Sequence, residues 1–228
     1  MIVVTFAGRR AGGVLVFQLL KRALEHAGHP QAKLAPDVVD AKRDVNLVRR
    51  WTDRRLEELL EAARDRVVAI RTGAPPDRLT AGALFHALET GELKIVVVYR
   101  DPRSTVASLL HHNAGRLREI DDIDAALRAL RADLRDLRHW GAFPSLKICH
   151  DDLRRDPSFH LQRITDDLGI SVDVDAVVDE VIGSSSDTSQ SGSEPDLSAP
   201  DRALVEAAVP NYLRLVELGD LSWFDRVG

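Results

Sequence analysis

Short apolar runs that alternate with long amphipathic segments constrain the fold of this chain more than any other feature. Four runs, rich in β-branched residues, have the length of buried strands: they are 2–6, 67–70, 93–99 and 145–149. Strands that alternate with helices need crossover connections, which are right-handed and produce a mainly parallel sheet. The pattern therefore predicts an α/β protein with three α/β/α layers.

The intervening segments carry apolar residues at helical spacing and charged residues on the opposite face. The predicted helices are 14–27, 45–63, 79–88 and 123–140. Gly28 follows the first of them and is a typical helix stop. With 228 residues, the chain fits one domain spanning 1–228.

Charge and composition exclude several kinds of partner and site. The formal net charge of −5 argues against general binding to nucleic acids or acidic membranes. No run approaches the roughly 18 apolar residues of a membrane span, and no basic leader precedes residues 2–6. We expect a cytoplasmic protein whose oligomeric state the sequence leaves open. Any anion site must be local, built from a few arginines and backbone amides.

Cysteine and histidine usage argues against disulfides and metals. The single cysteine, Cys149, lies in an apolar run, which favours a buried structural thiol. The histidines and carboxylates lack the spacing of known ligand motifs, so we expect no metal. Trp51, Trp140 and Trp223 suit either a core or an interface.

Two stretches lack helical or strand periodicity. Residues 30–44 mix Pro, Asp and Lys and are a candidate border of an acceptor pocket. Residues 183–195 are rich in serine, which predicts a flexible loop. This loop is either a solvated linker or a lid over a bound nucleotide.

A glycine-rich turn follows the first predicted strand and leads directly into a helix. It reads Gly8-Arg9-Arg10-Ala11-Gly12-Gly13. The unpaired amides and partial positive charge of a helix N-terminus attract phosphate, and the arginines add charge. The turn lacks Gly-Lys-Ser or Gly-Lys-Thr, which disfavours an ATP- or GTP-dependent kinase.

A second anion-binding signal follows the strand at 93–99. That strand delivers Arg100 at its carboxyl end, where α/β sheets bind ligands. Pro102 suits the first turn of the next helix, and Ser108 lies about two turns into it. The alternative is an arginine that pairs with Asp101 or with a helix dipole, and a serine that only packs.

Together these segments resemble the sulfotransferases that use 3′-phosphoadenosine 5′-phosphosulfate (PAPS) and release 3′-phosphoadenosine 5′-phosphate (PAP). Arg100 and Ser108 reproduce the spacing of that family's 3′-phosphate motif, and the turn at 8–13 is similar to its 5′-phosphosulfate loop. Residues 149–157 and 197–219 resemble its segments after the fourth strand and at the last helix. The resemblance covers most of the chain and implies the P-loop-like sulfotransferase fold.

The resemblance also implies roles for individual residues. Arg10 and Arg71 would be catalytic: Arg10 would contact the transferring or 5′-phosphate oxygens, and Arg71 would keep the positive charge found after the family's second strand. The nucleotide would be held by Gly8, Arg9, Arg10, Gly12, Gly13, Arg100 and Ser108. The acceptor would be a small alcohol, phenol, amine or sugar.

The sequence departs from the family where the chemistry occurs. Ala11 and Gly13 replace loop hydroxyls, and Gly73 replaces the histidine base of cytosolic members. Candidate replacement bases are His86, His111, His112, Asp37, Asp40 and Asp44, and none is favoured over the others. The departures leave two alternatives open: a non-catalytic protein that binds a nucleotide or a partner, and an atypical P-loop phosphotransferase.

Overall fold

The computed structural model describes residues 1–31, 34, 46–113, 120, 122–183 and 196–225. Its strands are β1 (Ile2–Ala7), β2 (Leu47–Val48), β3 (Val68–Thr72), β4 (Leu93–Tyr99) and β5 (Leu146–Cys149). Its α-helices are α1 (Gly13–His26), α2 (Asp53–Ala62), α3 (Ala81–Glu89), α4 (Pro102–Asn113), α5 (Ile123–Gly141), α6 (His150–Arg155), α7 (Pro157–Leu168), α8 (Val174–Gly183), α9 (Ala199–Ala208) and α10 (Pro210–Leu218). A 3₁₀ turn spans Leu221–Trp223.

The five strands form one parallel sheet in the order β2-β3-β1-β4-β5. Ile2 of β1 is in register with Val68 of β3 and with Leu93 of β4. Because the strands are parallel, the turns that follow β1, β3, β4 and β5 meet at one edge. The predicted α/β architecture and the four predicted strands are confirmed.

Helices cover both faces of the sheet. Alternate residues of β1 divide between two cores, with Val4 on one face and Val3 on the other. Val3 packs with residues of α1, α7 and α8, and Val4 packs with residues of α2, α3, α5, α9 and α10. Cys149 is buried, as predicted.

The tryptophans belong mainly to the core that contains Val4. Trp51 and Trp140 are buried and meet edge to face at 5.4 Å between ring centroids. Trp140 also stacks on Phe6 at 6.1 Å and donates its indole N–H to the Ala74 carbonyl at 2.8 Å. These contacts fix α5 across the carboxyl edge of the sheet.

The predicted helix at 45–63 is wrong in its first half. Leu47 and Val48 pair with β3 instead, and the helix begins only after Thr52. The Thr52 hydroxyl accepts a hydrogen bond from the Arg55 amide at 3.1 Å and caps the helix. Residue 45 lies outside the described residues.

The C-terminal segment at 197–219 forms two helices rather than one. Pro210 follows Val209, whose φ of −141° is not helical, and begins α10. Proline lacks an N–H and cannot continue the hydrogen bonding of α9. Gly219, with φ 66°, ends α10. The serine-rich loop and most of the stretch at 30–44 lie outside the described residues.

Candidate functional site

The glycine-rich turn connects β1 to α1 at the carboxyl edge of the sheet. The Ala11 amide donates to the Gly8 carbonyl at 3.2 Å, which closes the turn. Arg10 has a positive φ of 60°, rare for a residue with a Cβ, and Gly12 has φ 85°. Non-glycine residues in this conformation concentrate at functional sites.

The glycines of the turn are also required by the packing of the protein itself. A Cβ on Gly12 would lie 1.8 Å from the His150 ring, and one on Gly13 would lie 2.4 Å from the Ala7 methyl group. A Cβ on Gly8 would lie 2.9 Å from the Asp133 side chain. The backbone of the turn therefore passes unusually close to the start of α6 and to α5.

The N-terminus of α1 retains its positive character. Gly12 has no side chain with which to cap the helix, and the first turn contains no acidic residue. The free amides and helix dipole at such an end attract anions.

Arg100 lies just beyond β4 and is 6% exposed. Its Nη1 donates to the Arg10 carbonyl at 2.9 Å, and its Nε lies 3.6 Å from Asp151 Oδ1. Burial lowers the pKa of Arg100, while the Asp151 carboxylate acts in the opposite direction. The structure thus joins the turn after β1 to the turn after β4. Arg100 pairs with Asp151, not with Asp101.

Ser108 completes the cluster from α4. Its hydroxyl accepts a hydrogen bond from Arg10 Nε at 3.0 Å. Three of the predicted site residues, Arg10, Arg100 and Ser108, therefore lie together at the N-terminal end of α1.

Arg9 points away from this cluster. Its backbone amide donates to Asp133 Oδ2 at 2.8 Å, and its guanidinium binds the same carboxylate and the Ala129 carbonyl. Arg9 therefore holds the turn against α5 in this structure.

Arg71 lies in β3 and is half-buried. It shares a face of the sheet with Ala69, which packs in the core beside α1. Burial lowers the pKa of its guanidinium. Within the described residues, no hydrogen bond or ion pair joins Arg71 to Arg10 or Arg100. Gly73 lies beside the end of β1, where a Cβ would be 3.9 Å from the Ala7 carbonyl.

Asp151 connects the groups around Arg100. Its carboxylate accepts the Asp101 amide at 3.2 Å and lies 3.4 Å from His150 Nδ1. Burial raises the pKa of Asp151, but hydrogen bonds from His150 and the Asp101 amide, together with the Arg100 charge, lower it overall. Sequence reasoning missed this residue, although an acid directly after a predicted strand could have been selected for its place at the carboxyl edge.

Asp136 lies on α5 between Asp133 and Trp140. It shares a helix face with Asp133, which contacts Gly8, and with Trp140, which bonds to Ala74 beside Gly73. A rise of about 1.5 Å per residue places it roughly 4.5 Å from Asp133 and 6 Å from Trp140 along the axis.

Asp136 is a half-buried carboxyl with one close cationic neighbour. Its side chain is 15% exposed, with Oδ1 3.5 Å from Arg135 Nε. Burial raises the pKa of this carboxyl, partly offset by Arg135. A carboxyl group with this kind of environment is typical of general bases. No pattern in the sequence distinguishes it from the other acids of the same helix.

The candidate bases proposed from sequence are dispersed. His86 is exposed on α3 and His111 is exposed on α4. The His112 side chain and Asp37, Asp40 and Asp44 lie outside the described residues.

The described part of the chain contains neither a cluster of metal-ligating side chains nor a helix that could span a membrane. Among those residues, three or more His, Cys, Asp or Glu side chains nowhere come together as a metal site. In the same ranges, every helix is too short or too polar to cross a membrane.

Comparison with known proteins gives a match in structure but not in sequence. No protein-family model and no curated protein matches the chain. Among solved structures, the chain is similar to mouse sulfotransferase SULT7A1 complexed with PAP, with a TM-score of 0.58 and 15% identity. The match covers 96% of this chain and 85% of that chain.

The fold is that of a sulfotransferase. At 15% identity the likeness establishes the sulfotransferase fold and leaves the role of each residue to be argued from the contacts above. The fold predicted from the ordered motifs is therefore confirmed.

Proposed function

We propose that this protein is a PAPS-dependent sulfotransferase that transfers a sulfuryl group to a hydroxyl or amine of a small-molecule or sugar acceptor. The observation that carries the proposal is the hydrogen bond from Arg100 to the Arg10 carbonyl. It joins two turns that each have the chemistry of a phosphate site. One nucleotide with a phosphate at each end could bridge them.

The charge distribution supports a doubly phosphorylated ligand. Arg10 and Arg100 bring two guanidinium groups to the amide-rich end of α1 in a protein whose formal net charge is −5. Charge-assisted hydrogen bonds to phosphate are stronger than neutral ones, and arginine forms them in pairs. Arg100 and Ser108 hold the 3′-phosphate in this proposal. Arg10 and the amides of Gly12 and Gly13 hold the 5′ end.

The reaction needs a group that accepts the proton of the acceptor. The acceptor oxygen or nitrogen forms a bond to sulfur while the sulfur–oxygen bond to the 5′-phosphate breaks, and its electron pair leaves with PAP. Gly73 has no side chain for the proton. Asp136 takes that role in the proposal, because it lies on α5 between the contacts to Gly8 and Ala74.

One alternative is a protein that binds the nucleotide but does not transfer the sulfuryl group. Ala11, Gly13 and Gly73 each lack a group that the family's chemistry uses. A non-catalytic nucleotide-binding protein would bind PAP with the same residues. It would release no sulfated product.

Calorimetry with PAP tests the proposal. We expect saturable binding, and we expect Arg100→Ala to weaken it by about 10–150-fold, because charge-assisted contacts contribute roughly 1.5–3 kcal/mol. Arg54→Ala, at an exposed arginine of α2, is the matched control and should bind like the unmodified protein. No binding at millimolar PAP would refute the proposal.

A transfer assay with labelled PAPS distinguishes the enzyme from the non-catalytic alternative. Transfer of label to any member of a panel of phenols, alcohols, amines and sugars would support the enzyme. PAP binding without transfer across the panel would favour the non-catalytic alternative. Magnesium-dependent binding of ATP without binding of PAP would instead indicate a phosphotransferase.

A further inference from the structure

Tyr212, on α10, is bonded to the main chain of Arg100. Its hydroxyl accepts the Arg100 amide at 3.2 Å and donates to the Arg100 carbonyl at 2.9 Å. Tyr212 is 3% exposed, and burial is the main cause that raises its pKa. A neutral phenol can serve as donor and acceptor at once, so one side chain satisfies both main-chain groups.

The position of Arg100 in the sheet explains why these groups need a partner. On one side of β4 the last paired residues are Tyr99 and Cys149, and on the other they are Val98 and Ala7. Beyond Cys149 the neighbouring chain turns into α6. Arg100 is therefore the first residue past the sheet while still buried, where unsatisfied backbone groups are costly. The Tyr212 hydroxyl thus makes the two hydrogen bonds that a neighbouring strand would otherwise make to the Arg100 backbone.

This bond fixes the direction of the Arg100 side chain. With its backbone held, the guanidinium reaches the Arg10 carbonyl at 2.9 Å and Asp151 at 3.6 Å. Tyr212 is itself held by the Trp223 ring, edge to face at 5.1 Å. The contact chain therefore runs from Trp223 through Tyr212 to the backbone of Arg100, the candidate 3′-phosphate group.

An ionic contact ties the C-terminal helices to the same turn. Arg103 donates to Asp101 through Nε and Nη2 at 2.7–3.1 Å. It also pairs with Glu206 of α9 at 3.3 Å and with Glu217 of α10 at 3.0 Å. Residues 100–103 are thus attached to α9 and α10 at two independent points.

We propose that Tyr212 is a positioning residue for the 3′-phosphate, holding Arg100 in its binding geometry through its backbone. The inference rests on the proposed function, because it assumes that Arg100 binds that phosphate. It assigns to the C-terminal helices a part in nucleotide affinity that acts through the backbone of Arg100.

A double-mutant cycle with PAP as the probe tests this assignment. Tyr212→Phe should weaken PAP binding by about tenfold, as expected for two lost hydrogen bonds that orient a charged group. In an Arg100→Ala background the same change should alter affinity by less than about twofold, because no guanidinium remains to be oriented. An unchanged PAP affinity, or the same factor in both backgrounds, would overturn the inference.

Two controls separate this result from other failures. Tyr99→Phe removes the second buried tyrosine, whose hydroxyl makes no hydrogen bond within the described ranges, and it should bind PAP normally. Unmodified protein that does not bind PAP would instead refute the proposed function.

A second measurement leaves the Tyr212 hydroxyl in place, in case Tyr212→Phe does not fold. The chain has 2 tyrosines, so 3-fluorotyrosine incorporated into Tyr99→Phe protein labels only Tyr212. Its ¹⁹F resonance should shift on addition of PAP. A resonance that stays unchanged at saturating PAP contradicts the inference.

Discussion

At the scale of single residues, packing and anion binding both require that Gly12 has no side chain. Its left-handed backbone (φ 85°) and its approach to the His150 ring both exclude a side chain. The same absence leaves the first amides of α1 open toward the candidate phosphate. Gly12 is therefore required by the packing of the protein interior as well as by the candidate anion site.

Asp136 carries the residue-scale prediction about catalysis. Asp136→Asn should lower the rate of transfer from PAPS by about 10²–10⁴-fold, the usual contribution of a general base. PAP affinity should be unchanged, because the proposal assigns Asp136 to the acceptor and not to either phosphate. Rates over an acceptor panel, with calorimetry on the same samples, measure both. Asp124→Asn, at an exposed position of α5, is the control.

Stability gives an independent check on Asp136. Burial raises the pKa of Asp136, so folding disfavours its ionised form. The folded state therefore loses stability as pH rises from the ordinary pKa of an aspartate to the raised pKa. Replacement by neutral Asn should therefore not lower the free energy of unfolding at pH 7. A large loss of stability together with the loss of activity would contradict the catalytic role.

At the scale of elements, the sequence predicted the strands and helices whose pattern of apolar residues matches the faces that are buried in the structure. The strands β1, β3 and β4 are apolar on both faces, and α1 and α5 carry a clear helical stripe. The two-residue strand β2 could not be predicted, because its pattern continues the apolar spacing of the following helix. Only its pairing with β3 distinguishes the two.

The contacts that build the site were predictable only in part. Arg10 and Arg100 follow strands, so their convergence at one edge could be inferred. The bonds from Arg9 to Asp133 and from Tyr212 to Arg100 span 124 and 112 residues of sequence. Such pairs depend on how α5 and α10 cross the sheet, which no local pattern specifies.

Asp151 joins α6 to the turn after β4, and its charge should be visible in the pH dependence of stability. The pKa of Asp151 is lowered overall, so its stabilising effect is complete above the ordinary range near 4 and is lost as pH falls below it. Asp151→Asn should lower the free energy of unfolding at pH 7 by about 1–3 kcal/mol. The difference from the unmodified protein should shrink below about pH 4.

Urea denaturation between pH 3 and 7 measures this difference. Asp152→Asn is the matched control on the same helix, because Asp152 pairs with Arg155 at the exposed surface and such pairs contribute little. A difference between Asp151→Asn and unmodified protein that does not vary with pH would show that the charge of Asp151 is not what stabilises this turn.

At the scale of the whole molecule, the strand order brings the candidate site residues to one edge of the sheet. β1 lies at the centre of the sheet between β3 and β4. The glycine-rich turn after β1 therefore has the Arg71–Gly73 segment on one side and Arg100 on the other. Helices α5 and α10 approach this edge from the same face. The strand order thus brings the candidate phosphate-binding residues around a single turn.

Phosphorus NMR of bound PAP tests most directly whether two turns hold the two ends of one nucleotide. We predict that both phosphate resonances shift on binding. Arg100→Lys should then perturb the 3′-phosphate resonance, and Arg10→Lys the 5′-phosphate resonance. If only one phosphate responds, or if both variants perturb the same resonance, the two turns do not share one nucleotide and the account is contradicted.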